Sequence, residues 1–118
     1  DHTVTYANAG HCRPVLITPD GASVAEHSDL ILGLEAEATF RDETIDLAPG
    51  HALMAYTDGL LEHPVDGTEV LGERGILEIA EPTLDTDAPI DALLDAALDR
   101  GDDAFHDDVL VYWMQREA

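Results

Sequence analysis

The chain has no lysine, one cysteine, one tryptophan and no long apolar run. Each scarcity excludes something. With Cys12 alone, no intramolecular disulfide can form and there is no cysteine-rich zinc site. Such thiol usage fits a reducing compartment, and the expected location is the cytoplasm. The longest apolar runs are about half a dozen residues, against the roughly 20 that a membrane helix needs. The opening Asp1-His2-Thr3 is not the basic-then-apolar start of a signal peptide. Cations are scarce: five Arg against 26 acidic residues leave a net charge of −21. A surface this anionic repels nucleic-acid phosphates and acidic lipid headgroups, so neither nucleic acid nor membrane is an expected partner. A bound ion should be a cation, or an anion held through one. The six histidines form no His-x-His or His-x-x-x-His pair, which leaves little basis for a zinc site.

What remains is an ordinary globular composition, 45% hydrophobic and 26% charged over 118 residues, without repeat or linker. Residues 1–118 are therefore read as one unit, and the absence of an initiating Met suggests a piece of a longer protein. Strand patterns occupy 2–7, 13–18, 22–26 and 39–47, with a turn at Asn8-Ala9-Gly10-His11 and a hairpin signal at Pro19-Asp20-Gly21. Residues 52–57 are apolar up to Thr57, as in a strand buried on both faces, and 109–114 form a second such run. Helical periodicity covers 73–81 and 87–100. In the latter, Ile90, Leu93, Leu94, Ala97 and Leu98 form one stripe, and Asp91, Asp95 and Asp99 line the solvent side. Asp87 is a candidate cap, Pro89 suits the first turn and Gly101 the stop. Strands first and helices afterwards predict an α+β fold, with the 87–100 helix packed on a sheet.

Two acidic sites abut the buried strands. Asp58-Gly59 closes the first, and His106-Asp107-Asp108 precedes the second. If these strands pair antiparallel, Asp58 and Asp107 come to one edge of the sheet. Carboxylates that close repel unless one is protonated or a cation lies between them, and oxygen ligands select a hard cation, Mg²⁺ or Mn²⁺. The alternative is that Asp-Gly is an ordinary turn pair and that two of 26 acids converge by chance. His11 reads first as a turn or core histidine, Cys12 as a packed small residue, Leu32-Gly33-Leu34 as a turn or bulge, and Trp113 as core.

Six blocks in order resemble one family. Asn8-Ala9-Gly10-His11-Cys12-Arg13-Pro14 is similar to the Asn-Ala-Gly-His-x-x-Pro stretch of bacterial metal-dependent phosphatases of the stage II sporulation E type, relatives of protein phosphatase 2C. Ile31-Leu32-Gly33-Leu34, Leu47-Ala48-Pro49-Gly50-His51 and Tyr56-Thr57-Asp58-Gly59-Leu60-Leu61-Glu62 continue the likeness. So do the glycine-punctuated stretch 67–77, with Leu71 where Phe is common, and His106-Asp107-Asp108-Val109.

The resemblance implies an antiparallel β-sandwich flanked by helices and a Mn²⁺ or Mg²⁺ pair that activates water against phosphoserine or phosphothreonine. Asp58 matches the metal ligand of the Asp-Gly motif and Asp107 the ligand that opens the closing Asp-Asp pair. Asp108 matches the second member of that pair, with a less definite role. His11 stands where eukaryotic relatives carry an aspartate linked to a third metal, which puts that metal in doubt here. The family's upstream Asp-x-x-Gly-His-Gly type loop has no counterpart in this sequence, so 1–118 is expected to be the C-terminal part of the domain, inactive alone. The implied partners are a phosphoprotein substrate, such as an anti-sigma-factor antagonist, and an upstream sensor domain. A non-catalytic regulatory module on the same fold is the alternative.

Overall fold

The apolar run that starts at Ala52 becomes the centre of the fold. The computed structural model describes residues 2–118. In chain order these form β1 (Thr3–Tyr6), β2 (Val15–Thr18), β3 (Gly21–Val24), β4 (Glu43–Asp46), β5 (Ala52–Tyr56), α1 (Asp58–Leu61), β6 (Pro64–Asp66), β7 (Glu69–Val70), α2 (Gly72–Ala80), a 3₁₀ turn (Glu81–Asp85), α3 (Pro89–Arg100) and β8 (Val111–Gln115). The main sheet is antiparallel, in the order β3-β2-β5-β8. β5 is flanked on both sides, with Met54 opposite Val15 on one neighbour and Trp113 on the other. β5 is thus paired along both edges, and its side chains alternate between the two faces of the sheet.

Alternation divides the sheet into two faces. Val15, Ile17, Ala52, Met54 and Tyr56 are buried against Ile76, Ile79 and Ala80 of α2, Leu84 of the 3₁₀ turn, and Leu93 and Ala97 of α3. The opposite face carries Leu16, Leu53 and Met114 in register, with Ala55 beside Tyr112, which is 62% exposed. The sheet is therefore apolar on both sides and carries the helices on one. The molecule is a slab of 42 × 38 × 19 Å. Its other sheets are the ribbon β1–β4 and the hairpin β6–β7, so the described residues build an α+β arrangement with one four-stranded sheet and helices on one face of it.

The predicted elements form, with physical reasons for their shifted ends. The β2–β3 hairpin closes at Pro19-Asp20, where the Asp20 amide donates to Thr18 Oγ1 at 3.2 Å. β4 is shorter than the predicted 39–47, because the Arg41 amide donates to Asp29 Oδ2 at 2.8 Å and not to a strand. α2 passes into the 3₁₀ turn at Pro82, which has no N–H to continue an α-helix. The expected Asp87 cap does not form: α3 starts at Pro89, and Ala88 precedes it without a side-chain cap bond. α3 packs on α2 and the 3₁₀ turn, and its Leu93 and Ala97 join the core beneath the sheet. Leu93 and Ala97 are its buried residues, whereas Leu94 is only half-buried. Asp91, Asp95 and Asp99 face solvent as expected. Trp113 is half-buried at the margin of the core.

An ion pair holds α2 against the segment that leads into β2. Arg13 donates from Nε to Glu73 Oε2 at 2.8 Å and from Nη2 to Oε1 at 2.6 Å. This two-pronged geometry is the strong form of a charge-assisted bond. It holds the Glu73 carboxyl below its usual range and the Arg13 guanidinium above its own.

Candidate metal centre

Three chain turns meet at the β5–β8 end of the main sheet. The antiparallel register ends with Tyr56 opposite Val111, so the C-terminus of one strand lies beside the N-terminus of the other, as the sequence predicts. Asp58 starts α1 immediately after β5, while Asp107 and Asp108 lie on the loop before β8. All three aspartates are exposed. Thr57 joins the two turns: its amide donates to the Leu110 carbonyl at 3.0 Å, and its Oγ1 accepts from the Leu110 amide at 2.9 Å. Asp107 Oδ1 accepts from the Asp108 amide at 2.8 Å, which leaves Oδ2 outside that bond.

Gly59 allows the turns to touch. A Cβ on it would fall inside contact distance of the Asp108 carbonyl oxygen and 3.2 Å from Val109 Cγ2. The glycine of the Asp-Gly pair is therefore required by a neighbouring chain, a constraint that an isolated turn would not impose.

The third turn is Asn8-Ala9-Gly10-His11. Asn8 is buried, and its Oδ1 accepts from the His11 amide at 2.8 Å while its Nδ2 donates to the His11 carbonyl at 3.1 Å. Gly10 has φ +81° and lies against Ile31 where a Cβ would stand. That packing, with the Asp29 amide donating to the Asn8 carbonyl at 2.8 Å, ties the turn to 29–31. Leu32-Gly33-Leu34 forms a turn, as its glycine predicts.

Gly10, His11, Cys12, Thr57 and Asp58 line a cavity of about 310 Å³. His11 is exposed in its turn and not part of the core. Its Nδ1 lies 2.9 Å from the Cys12 carbonyl, which can only accept, so Nδ1 carries the proton and Nε2 is the acceptor of the neutral ring. Cys12 is half-buried; burial first, and the Asp58 carboxylate next, push its thiol up. A thiol so shifted stays protonated and is a poor nucleophile.

This donor set has the chemistry for a hard divalent cation: exposed carboxylates on touching turns, without a thiolate. It is short in number. Among the described residues no three His, Cys, Asp or Glu side chains gather closely enough to hold an ion. Sequence reasoning placed Asp58 and Asp107 at one sheet edge and missed Thr57 and Asn8, which join and brace the turns. The sign was present in Tyr56-Thr57-Asp58, a hydroxyl at the last position before the strand turns away.

The antiparallel sheet backed by helices makes this an α+β domain, and solved domains of the protein phosphatase 2C type share its fold. The family model described as Stage II sporulation protein E (SpoIIE) matches residues 1–117, and the chain belongs to that family. Among solved structures it is similar to the RsbU and RsbW domains of Rv1364c from Mycobacterium tuberculosis, at 31% identity and TM-score 0.76, over 99% of this chain and 33% of that one. It resembles the SiaA-PP2C domain of Pseudomonas aeruginosa at 16% identity and TM-score 0.80, over 98% and 47% of the two chains. A third likeness is to the phosphatase domain of SpoIIE from Bacillus subtilis, presoaked with Mn, at 16% identity and TM-score 0.66, over 98% and 51%. The chain thus spans between a third and about half of the length of these proteins. No curated protein matches it.

Proposed function

We propose that residues 1–118 are the C-terminal part of a metal-dependent protein serine/threonine phosphatase domain, whose complete form hydrolyses phosphoserine or phosphothreonine in a regulatory protein. The observation that carries this reading is the meeting of the Asp58 turn with the Asp107-Asp108 loop through Thr57–Leu110 and Gly59–Asp108. Asp58 and Asp107 would hold Mn²⁺ or Mg²⁺, with Asp108 as a further donor. When bound, such cations supply charge neutralisation at the phosphate and a lowered pKa for the attacking water. The chain's own contribution is positional: Asp58 lines a cavity together with His11, and Asp107, on the loop joined to the Asp58 turn, has Oδ1 already engaged by a backbone amide.

The missing donors come from the upstream part of the domain, and the isolated 118-residue chain is inactive. The apolar second face of the sheet, with Tyr112 exposed, supports a further layer packed there. A relative that contains an RsbU and an RsbW domain supports a regulatory setting. An anti-sigma-factor antagonist as substrate, an upstream sensor domain and a cytoplasmic location belong to the same reading; no helix among the described residues is long and apolar enough to cross a membrane.

The shortage of ligands within these residues favours one second reading, a non-catalytic module that binds a regulatory protein. Phosphopeptide hydrolysis by the full-length protein with Mn²⁺, with and without chelator, separates the two. Turnover that chelator abolishes is expected for the phosphatase. Absence of turnover on any phosphoprotein supports the module.

A further inference from the structure

The antiparallel ladder between β5 and β8 calls for a pair of bonds between residues 57 and 110, one step beyond Tyr56 and Val111. The Thr57 amide makes its half of that pair, donating to the Leu110 carbonyl at 3.0 Å. The Thr57 carbonyl does not make the other half. It accepts instead from the Leu60 amide at 3.1 Å, as the first bond that turns the chain into α1. The Leu110 amide is bound by the Thr57 hydroxyl at 2.9 Å. One residue thus serves two structures: its carbonyl starts the helix that carries Asp58, and its side chain completes the ladder that holds the Asp107-Asp108 loop.

We infer that Thr57 is a positioning residue that sets the separation of the Asp58 and Asp107 carboxylates, an inference that rests on the metal-phosphatase reading above. Without the hydroxyl, a strand that turns into a helix at residue 57 leaves the Leu110 amide without its protein partner, and the Asp107-Asp108 loop is held to the Asp58 turn only by the Thr57 amide bond and the Gly59 contact. Cation sites tolerate displacements of only about 0.5 Å before affinity falls. The position requires a side-chain acceptor: Ser keeps it, whereas Val keeps the shape and loses it.

The test uses the full-length protein, Thr57→Val and Thr57→Ser, with two readouts. In amide hydrogen exchange without metal, Leu110 should exchange about tenfold faster in Thr57→Val and near the wild-type rate in Thr57→Ser. In Mn²⁺ titration by calorimetry, Thr57→Val should bind about tenfold more weakly, in the range of other outer-shell changes, and Thr57→Ser should restore most of the affinity. Equal Mn²⁺ affinity in wild type and Thr57→Val, despite faster Leu110 exchange, would overturn the positioning role and leave the phosphatase reading intact. A loss of about tenfold or more in a folded Thr57→Ser would also overturn it, whether or not Thr57→Val folds. A wild-type protein that binds no Mn²⁺ would overturn both the inference and the reading beneath it.

Discussion

Gly59 lies against the carbonyl of Asp108, with the carbonyl carbon 3.0 Å from where a Cβ would stand. The two acidic turns are therefore in contact through backbone, and any side chain at 59 must separate them. Gly59→Ala should cost about 1–3 kcal/mol of stability, the usual range for overpacking. A thermal melt measures the loss, and Mn²⁺ affinity of the full-length protein should fall with it. An unchanged melting temperature would mean that the turns are not in contact.

The helical layer gives a second test. Leu93 is fully buried, and Leu94 is half-buried on the same helix. Leu93→Ala should cost about 2–5 kcal/mol, the range for a buried leucine, and Leu94→Ala less. Urea unfolding of the two variants would contradict the packing if Leu94→Ala were the more damaging.

The Arg13–Glu73 pair predicts a pH dependence. Glu73 titrates below its unfolded value of about 4.3, so its stabilisation is complete above that pH and is lost as pH falls through the lower folded value. Both side chains are about a third exposed, at 35% and 36%, so the pair is expected to contribute only about 1 kcal/mol. Glu73→Gln should be less stable than wild type at pH 7, and the gap should narrow at pH 3. A gap that does not change with pH would contradict the assignment.

Much of this arrangement could be read from the residues, because burial and periodicity were strong. The apolar run from Ala52 predicted a strand buried on both faces, and its antiparallel pairing with β8 brings the Asp58 turn and the Asp107 loop to one edge. What could not be read depended on contacts between distant segments. The predicted strand at 39–47 is cut short by the Asp29 carboxylate, twelve residues before Arg41. The α3 stripe gives no sign of which of its residues α2 and the 3₁₀ turn cover, so Leu94 looked as well placed as Leu93. Thr57 escaped notice because its role depends on a carbonyl diverted into α1, which no local pattern encodes.

Charge predicts a response to salt. With a net charge of −21 and no lysine, the folded chain repels itself, and the five arginines offset only part of the acidity. Raising NaCl shortens the screening length to about 3 Å at 1 M. The melting temperature should therefore rise from low salt to 1 M. A fall would show that ion pairs such as Arg13–Glu73 outweigh the general repulsion.

The central claim is that Asp58 and Asp107 hold the catalytic cation, and its most direct measurement is Mn²⁺-dependent phosphopeptide turnover by the full-length protein carrying Asp58→Asn or Asp107→Asn, beside Asp95→Asn on the solvent face of α3. Each site change keeps the shape and removes a charge that offsets the cation. Affinity for Mn²⁺ and turnover should fall together, by at least the 10–100-fold typical of outer-shell changes, while Asp95→Asn behaves as wild type. Turnover that survives both Asp58→Asn and chelation would contradict the account.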